Sequence, residues 1–210
     1  VSCARDVEAL EMPSTWSGPT RTGAAPTAAS LYAQIVPPAF TTADAVLAAK
    51  DAVDGRRFLL LNSDNYYPVD AMAALRGAPD NGLVGFDPAG LVRYGNIPAE
   101  RVRAFALLER QGTSLTAIVE KPDDATLARF GASALVSMNC YAFTPTIFEH
   151  AAAVAPSPRG EYELTDAVAA ALSVGEPFTI VPSAAGVLDL SERGDIAAVT
   201  AALASREVLL

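Results

Sequence analysis

The chain has 210 residues, enough for a single α/β domain with a substantial core. Its 51% hydrophobic and 19% charged residues exclude intrinsic disorder and fibrous repeats. A formal net charge of −9 repels phosphate backbones and anionic lipid, so nucleic-acid and membrane-surface binding are excluded as general functions, though a few well-placed cations still suffice for a small phosphorylated ligand.

The start, Val1-Ser2-Cys3-Ala4-Arg5-Asp6, has neither the basic nor the apolar region of a signal peptide. It also lacks an initiator Met, a hint of processing or truncation. Cys3 and Cys140 are too few for a disulfide framework or a four-ligand zinc site, and read as reduced thiols of a cytoplasmic protein. A flexible loop is expected over about residues 13–30; its low-complexity part, Gly18 to Ser30, places no glycine between a strand and a helix and is a poor phosphate cradle.

Leu31 to Val36 reads as a strand stopped by Pro37-Pro38. Thr41 or Thr42 caps a helix reaching about Val53, with Gly55 just past its end. Phe58-Leu59-Leu60-Leu61 is apolar without alternation, as in a strand buried on both faces, and it ends in Asn62-Ser63-Asp64-Asn65. Pro68 opens a helix through Leu75, and Gly82 to Phe86 is another buried strand. Arg103–Glu109 and Ser114–Glu120 form a hairpin about Gln111-Gly112-Thr113.

Ala132 to Phe143 supplies a further strand, and Pro145 starts a helix through Val154. The one histidine, His150, lies in that helix and reads as a solvated position; a His-dependent triad has no material here. A helix near Thr165–Leu172, strands near Phe178–Val181 and Val187–Leu190, and a helix to about Ser205 complete the chain. Alternating helices and buried strands make this one α/β domain over residues 1–210, with a mixed, mostly parallel central sheet flanked by helices. No apolar run is long enough to span a membrane.

Ligands of open α/β sheets collect beyond the carboxyl ends of the strands, which makes Asp64 the first candidate. Two readings are open there: a carboxylate holding a hard divalent cation, or a turn-shaping residue. Asp189, at the end of a predicted strand, is either a second oxygen ligand or the cap of the last helix. Glu120-Lys121-Pro122 either presents a carboxylate and an ammonium to a ligand or is an exposed strand terminus. Arg159, between Pro158 and Gly160, sits in a rigid turn where its planar fork could grip a phosphate.

Taken together, Leu61-Asn62-Ser63-Asp64-Asn65, Glu120-Lys121-Pro122, Ser157-Pro158-Arg159-Gly160-Glu161 and Asp189 resemble, in order and spacing, the sugar-1-phosphate nucleotidyltransferase family. The resemblance runs from about Leu31 to the C-terminus and includes Thr42-Ala43-Asp44-Ala45 ahead of the Asp64 strand. It implies a Rossmann-like nucleotidyltransferase fold and a reaction in which a nucleoside triphosphate and a sugar 1-phosphate give a nucleoside diphosphate sugar and pyrophosphate. By the same resemblance Asp64 and Asp189 hold a catalytic Mg2+, Lys121 and Arg159 bind the sugar phosphate, and Glu120 takes sugar hydroxyls. Asn139 and Tyr141, within Met138–Tyr141, line the sugar pocket. Self-association is common among such relatives.

Relatives begin with a strand and a Gly-x-Gly-Thr-Arg loop, then Pro-Lys, which cradle the triphosphate. No such string occurs here, and Val1-Ser2-Cys3 resembles the tail of the fold's second strand, so the N-terminal unit is expected to be missing. Val36 falls near an expected base-binding Gln, Thr41 at an expected Gly, and Ala106 where relatives have a sugar-facing Gly. The sugar-phosphate half of the site is thus expected to be present and the nucleotide half altered, with no turnover by this chain alone. The competing reading is a non-catalytic relative that binds a sugar phosphate or nucleotide sugar. A metal-dependent glycosyltransferase would want Asp-x-Asp where Asn62-Ser63-Asp64 stands.

Overall fold

The computed structural model describes the main chain of residues 2–5 and residues 42–131, 134–157 and 160–204. The strand expected over Leu31–Val36, the loop of about residues 13–30, and Val36 and Thr41 of the expected base-binding region lie outside these residues.

The helix expected up to Val53 is broken at Ala49 into α1 (Thr42–Ala48) and α2 (Lys50–Val53), which ends with Asp54 and Gly55 both at positive φ. The Thr42 hydroxyl does not cap its own helix. It accepts the Leu164 N–H at 2.9 Å, while the Ala43 N–H donates to the Tyr162 carbonyl at 3.1 Å.

Strand β1 (Ser2–Arg5) pairs antiparallel with β2 (Phe58–Leu61). After β2 come the short β3 (Asn65–Tyr66), α3 (Val69–Arg76) and β4 (Asn81–Phe86), the last buried throughout. Two helices then occupy a stretch to which the sequence reading assigns no element: α4 (Pro88–Tyr94) and α5 (Ala99–Val102). Asp87 caps α4 through the Gly90 N–H at 3.0 Å with Pro88 in the first turn, and turn hydrogen bonds from Ala104 and Phe105 back into α5 delay β5 to Leu107–Gln111. The hairpin turns at Gly112, φ 63°, into β6 (Ser114–Val119).

Helix α6 (Asp124–Phe130), capped by Asp123, leads to the nine-residue β7 (Leu135–Phe143), α7 (Ile147–Ala153) and α8 (Leu164–Ser173). Strands β8 (Phe178–Ser183) and β9 (Leu188–Asp189) and helix α9 (Asp195–Leu203) follow.

The central sheet has the order β1-β2-β7-β4-β8-β6-β5, and β5 also returns to the N-terminal end of β7. It is mixed, as expected, and its parallel character is one of direction. β2 and β4 both run against the β7 strand between them, and β8 runs with β4, so β2, β4 and β8 point the same way. Only β4 and β8 exchange ladder bonds in parallel among the described strands, because β7 and the hairpin are interposed elsewhere. The last expected strand stands apart: β9 pairs with β3 in a separate two-stranded ribbon.

Two apolar clusters pack the two faces of the sheet, one gathered under α1, α7 and α8, the other under α3, α4 and α5. In the first, Phe58 stacks on Phe148 and Tyr141 on Phe143, at 5.3 and 4.9 Å between ring centroids. Such pairs contribute about 0.5–1.5 kcal/mol beyond area burial. Among the described residues no helix is long and apolar enough to cross a membrane.

Candidate functional site

Strand β2 was expected to be buried on both faces, but only Phe58 and Leu60 are buried while Leu59 and Leu61 are half-buried against the other core; the strand stops where Asn62-Ser63-Asp64-Asn65 turns the chain. That turn is tied down by Tyr67, whose hydroxyl donates to the Met138 carbonyl at 2.6 Å and accepts the Asn62 N–H at 3.3 Å. Burial pushes the Tyr67 hydroxyl far above the ordinary tyrosine range, so it stays a neutral donor. The register of β3 with β9 puts Asn65 opposite Asp189, and the Leu190 N–H donates to the Asp64 carbonyl at 2.9 Å. Asp64 and Asp189 are thereby brought together from positions far apart in the chain, with the Ser191 hydroxyl between their carboxylates.

A cavity of about 300 Å³ opens where β2 and β6 end beside the middle of β7. Glu120, Lys121, Asn139 and Asp189 line it together with Ala106 and Arg101. Of the three non-glycine residues at positive φ among those described, two are here, Lys121 at 43° and Asn139 at 54°. The left-handed region is uncommon for a side chain with a Cβ, and such outliers cluster at functional sites. Asn139 owes its conformation to an irregularity: β4 and β7 pair Leu83 with Tyr141 and then Gly85 with Ser137, leaving extra β7 residues between. Lys121 turns the chain at the end of β6 immediately before Pro122. Lys121 is exposed, whereas Glu120 is half-buried.

The expected pocket segment divides. Met138 and Asn139 line the cavity, but Cys140 and Tyr141 are sealed in the two cores. Tyr141 is fully buried against Phe143, and its hydroxyl shares a 3.0 Å hydrogen bond with Ser137, so it reaches the cavity only through that residue. Burial pushes the Cys140 thiol up to about 12. Arg159 lies outside the described residues; of its described neighbours, the Gly160 N–H donates to the Ser157 carbonyl at 2.7 Å and the Ser157 N–H to the Glu161 carbonyl at 2.8 Å.

Asp189 is only 2% exposed and is held from every side. The Asn96 side chain acts as a substitute strand, donating to the Asp189 carbonyl and accepting its N–H, both at 2.7 Å. Asp189 Oδ1 accepts from Asn65 Nδ2 at 3.2 Å, from the Ser191 N–H at 3.0 Å and from the Ser191 hydroxyl, and Oδ2 accepts from Arg101 Nη1 at 2.9 Å. It is therefore not the cap of α9, which has no side-chain cap; Asp195 in its first turn accepts the Glu192 N–H of the preceding loop at 3.0 Å.

Arg101 is the cavity-lining residue that the sequence did not disclose. Its partner is 88 positions away, and the only local signal is the helix start at Pro98-Ala99-Glu100. Side-chain hydrogen bonds to Asp195 and Asp189 hold its guanidinium above even the usual arginine range.

A Mg2+ ion takes oxygen ligands, commonly one or two carboxylates plus waters and substrate phosphates. Asp64 fits that role, being exposed with one long 3.4 Å contact from Ser191. Asp189 fits poorly, since three protein donors crowd Oδ1 and the Arg101 guanidinium sits on Oδ2. No group of three or more His, Cys, Asp or Glu suited to a metal occurs among the described residues. His150 is not solvated as expected: its Nε2 meets Glu176 Oε1 at 2.8 Å, and its side chain is 18% exposed.

A family model described as nucleotidyl transferase matches residues 21–194, most of the chain. The chain belongs to the nucleotidyl transferase family. Solved structures share its fold at low identity. A UDP-glucose pyrophosphorylase complexed with UDP-glucose is 17% identical with a TM-score of 0.61, over 81% of this chain and 64% of that one. A protein assigned as a glucose-1-phosphate thymidylyltransferase from Bacillus anthracis is 18% identical with a TM-score of 0.59, over 83% and 65%. The inositol-1-phosphate CTP transferase from T. maritima is 10% identical with a TM-score of 0.58, over 80% and 64%. No curated protein matches the chain. The chain spans just under two thirds of the length of these solved structures. In this nucleotidyl transferase domain the cavity occupies the place where α/β sheets collect ligands, beyond the carboxyl end of β2.

Proposed function

We propose that the protein transfers a nucleotidyl group from a nucleoside triphosphate to a sugar 1-phosphate, and that the cavity holds the sugar phosphate. A phosphate oxygen of the sugar attacks the α-phosphorus in line, the bond from that phosphorus to the β-phosphate bridging oxygen breaks, and pyrophosphate leaves. Such a step needs positioning and charge neutralisation more than a strong base, which suits a site without histidine. The observation that carries this reading is the convergence of Glu120, Lys121 and Asn139 on one cavity, with two of the three in left-handed backbone.

Lys121 supplies a cation to the phosphate, and Glu120 and Asn139 take hydroxyl groups. Arg159 is proposed as a second phosphate ligand from the Ser157–Glu161 turn. Mg2+ is proposed to reach the site on the triphosphate's own oxygens with Asp64 as the protein ligand, where it would offset phosphate charge.

A second reading, a binding protein for sugar phosphates without turnover, is favoured by the occupied Asp189 carboxylate. Titration calorimetry with glucose 1-phosphate and other hexose 1-phosphates, paired with a pyrophosphate-release assay over the common triphosphates, separates the two. Binding that weakens about tenfold or more in Lys121→Ala, with pyrophosphate released, supports transfer. Binding without release at any triphosphate supports the second reading. Failure to bind any hexose 1-phosphate ends both.

A further inference from the structure

We propose that Arg101 is the resident cation of the Asp189 carboxylate, so that Asp189 positions a guanidinium and does not ligate a divalent metal. This rests on reading the cavity as a nucleotidyl-transfer centre, and it concerns which charges that centre builds from protein.

The first support is a count of acceptor positions. A carboxylate offers about four, and Asp189 receives Asn65 Nδ2, the Ser191 N–H, the Ser191 hydroxyl and Arg101 Nη1. With about two positions on each oxygen, a metal on Oδ1 must evict one of these donors, and a metal on Oδ2 must share that oxygen with the guanidinium. Three of them hold Oδ1, and all three come from the β3–β9 ribbon and its exit, which also carry Asp64. The fourth, on Oδ2, is the guanidinium.

The second support is that Arg101 is anchored elsewhere and is not free to swing aside. Its Nη1 also donates to Asp195 Oδ2 at 3.0 Å, and Nη2 reaches Asp195 Oδ1 at 3.4 Å and Glu192 Oε2 at 3.3 Å. Asp195 is itself fixed by the Glu192 N–H, and its side chain is 9% exposed. The guanidinium is thus clamped between a carboxylate at the start of α9 and Asp189, with 21% of its side chain open and lining the cavity. A divalent ion on Asp189 Oδ2 would sit beside this fixed positive charge. Arg101 thus already supplies the positive charge that a metal on Oδ2 would bring, and of the two aspartates Asp64 is the one left without a resident cation.

The prediction concerns the protein without nucleotide or sugar phosphate, so it stands or falls apart from turnover. Binding of Mn2+ to the full chain, followed by loss of the free-ion electron paramagnetic resonance signal, is expected to be weak and unchanged in Asp189→Asn. Arg101→Met frees Oδ2 and is expected to tighten Mn2+ binding tenfold or more, and adding Asp189→Asn should abolish that gain. Arg101→Lys keeps the charge and should exclude the ion as the wild type does, which a merely structural arginine would not require. A severalfold loss of wild-type affinity in Asp189→Asn overturns the proposal, as does an Arg101→Met protein no tighter than wild type. Should either variant fail to fold, the anomalous signal of wild-type crystals soaked in Mn2+ decides: a peak within coordination distance of Asp189 refutes the proposal, and its absence from Asp189 supports it.

Discussion

Gly186→Ala is expected to damage the site from outside it, by separating two main chains that touch. A Cβ at Gly186 would lie 2.1 Å from the Tyr94 carbonyl carbon and 2.2 Å from the Gly95 nitrogen and the Tyr94 oxygen. All three atoms are backbone, so no side-chain rotation relieves the clash, and the segments must part by about 1 Å or more to regain ordinary contact. The displaced segment leads directly to Asn96, whose amide makes both 2.7 Å bonds to the Asp189 main chain. Overpacking of this kind costs about 1–3 kcal/mol, and two lost hydrogen bonds add about 1 kcal/mol each, for about 3–5 kcal/mol in all. Urea unfolding of wild type and variant measures the difference. Gly194→Ala is the control, since a Cβ there meets nothing within 4 Å and the residue already has helical φ and ψ of −64° and −24°. It should be neutral or stabilising by up to about 1 kcal/mol. A Gly186→Ala protein within about 0.5 kcal/mol of wild type would refute the close-approach reasoning.

Tyr67→Phe strips the Asn62 N–H and the Met138 carbonyl of their shared partner and should cost about 1–3 kcal/mol, read from the shift in the urea midpoint. Glu176 bears on acid stability: burial alone would raise its carboxyl, but hydrogen bonds from His150, Thr146 and Asn81 bring it below the usual range of about 4.5. A carboxyl depressed in the folded state stabilises above its unfolded value, and that contribution is lost as pH falls through the folded value. Wild type should therefore lose more stability than Glu176→Gln between about pH 5 and pH 3, and equal slopes in urea midpoints across that window would contradict this. Cys140, its thiol pushed up to about 12 and fully buried, should react with a thiol reagent in a Cys3→Ser background only as fast as the protein opens. Labelling at the rate of a free thiol would show that the β7 core is not closed.

How far the fold could be read from the string depended on how local each signal was. The β2 strand, α3 and β6 carry their own start and stop chemistry, and the structure places them within a residue or so of the sequence reading. Helix α4 had an Asp-Pro start at Asp87-Pro88, yet its seven residues are too short to show a helical period. The partner of β9 was not legible, because a two-residue pairing with β3 leaves no periodic trace. At the site, Asn139 and Tyr141 share a parity that sends both to one side of β7. The left-handed turn at Asn139 separates them, and the sequence shows only that asparagine tolerates such a turn. The Arg101–Asp189 contact joins positions 88 apart through two elements whose approach is fixed by Gly95 and Gly186, so no spacing rule reaches it.

The left-handed backbone at Asn139 is held by the same contacts that build the cavity wall. A non-glycine residue held at positive φ costs of order 1–3 kcal/mol and persists only where other contacts hold it. A regular β7 could continue its ladder with β4 past Leu83 and Tyr141, yet the pairing resumes only at Gly85 and Ser137. The irregularity persists because its surroundings over-determine it. Tyr67 grips the Met138 carbonyl, the Ser137 hydroxyl accepts the Asn139 N–H at 3.2 Å, and the Ser137 N–H donates to the Ala106 carbonyl at 2.8 Å. Each of those contacts draws a different element to the same cavity wall: the turn after β2, the β7 strand and the entry to β5. The residues that anchor the irregularity also tie down the turn that carries Asp64, so the strain at Asn139 and the position of the carboxylate are consequences of one hydrogen-bond network.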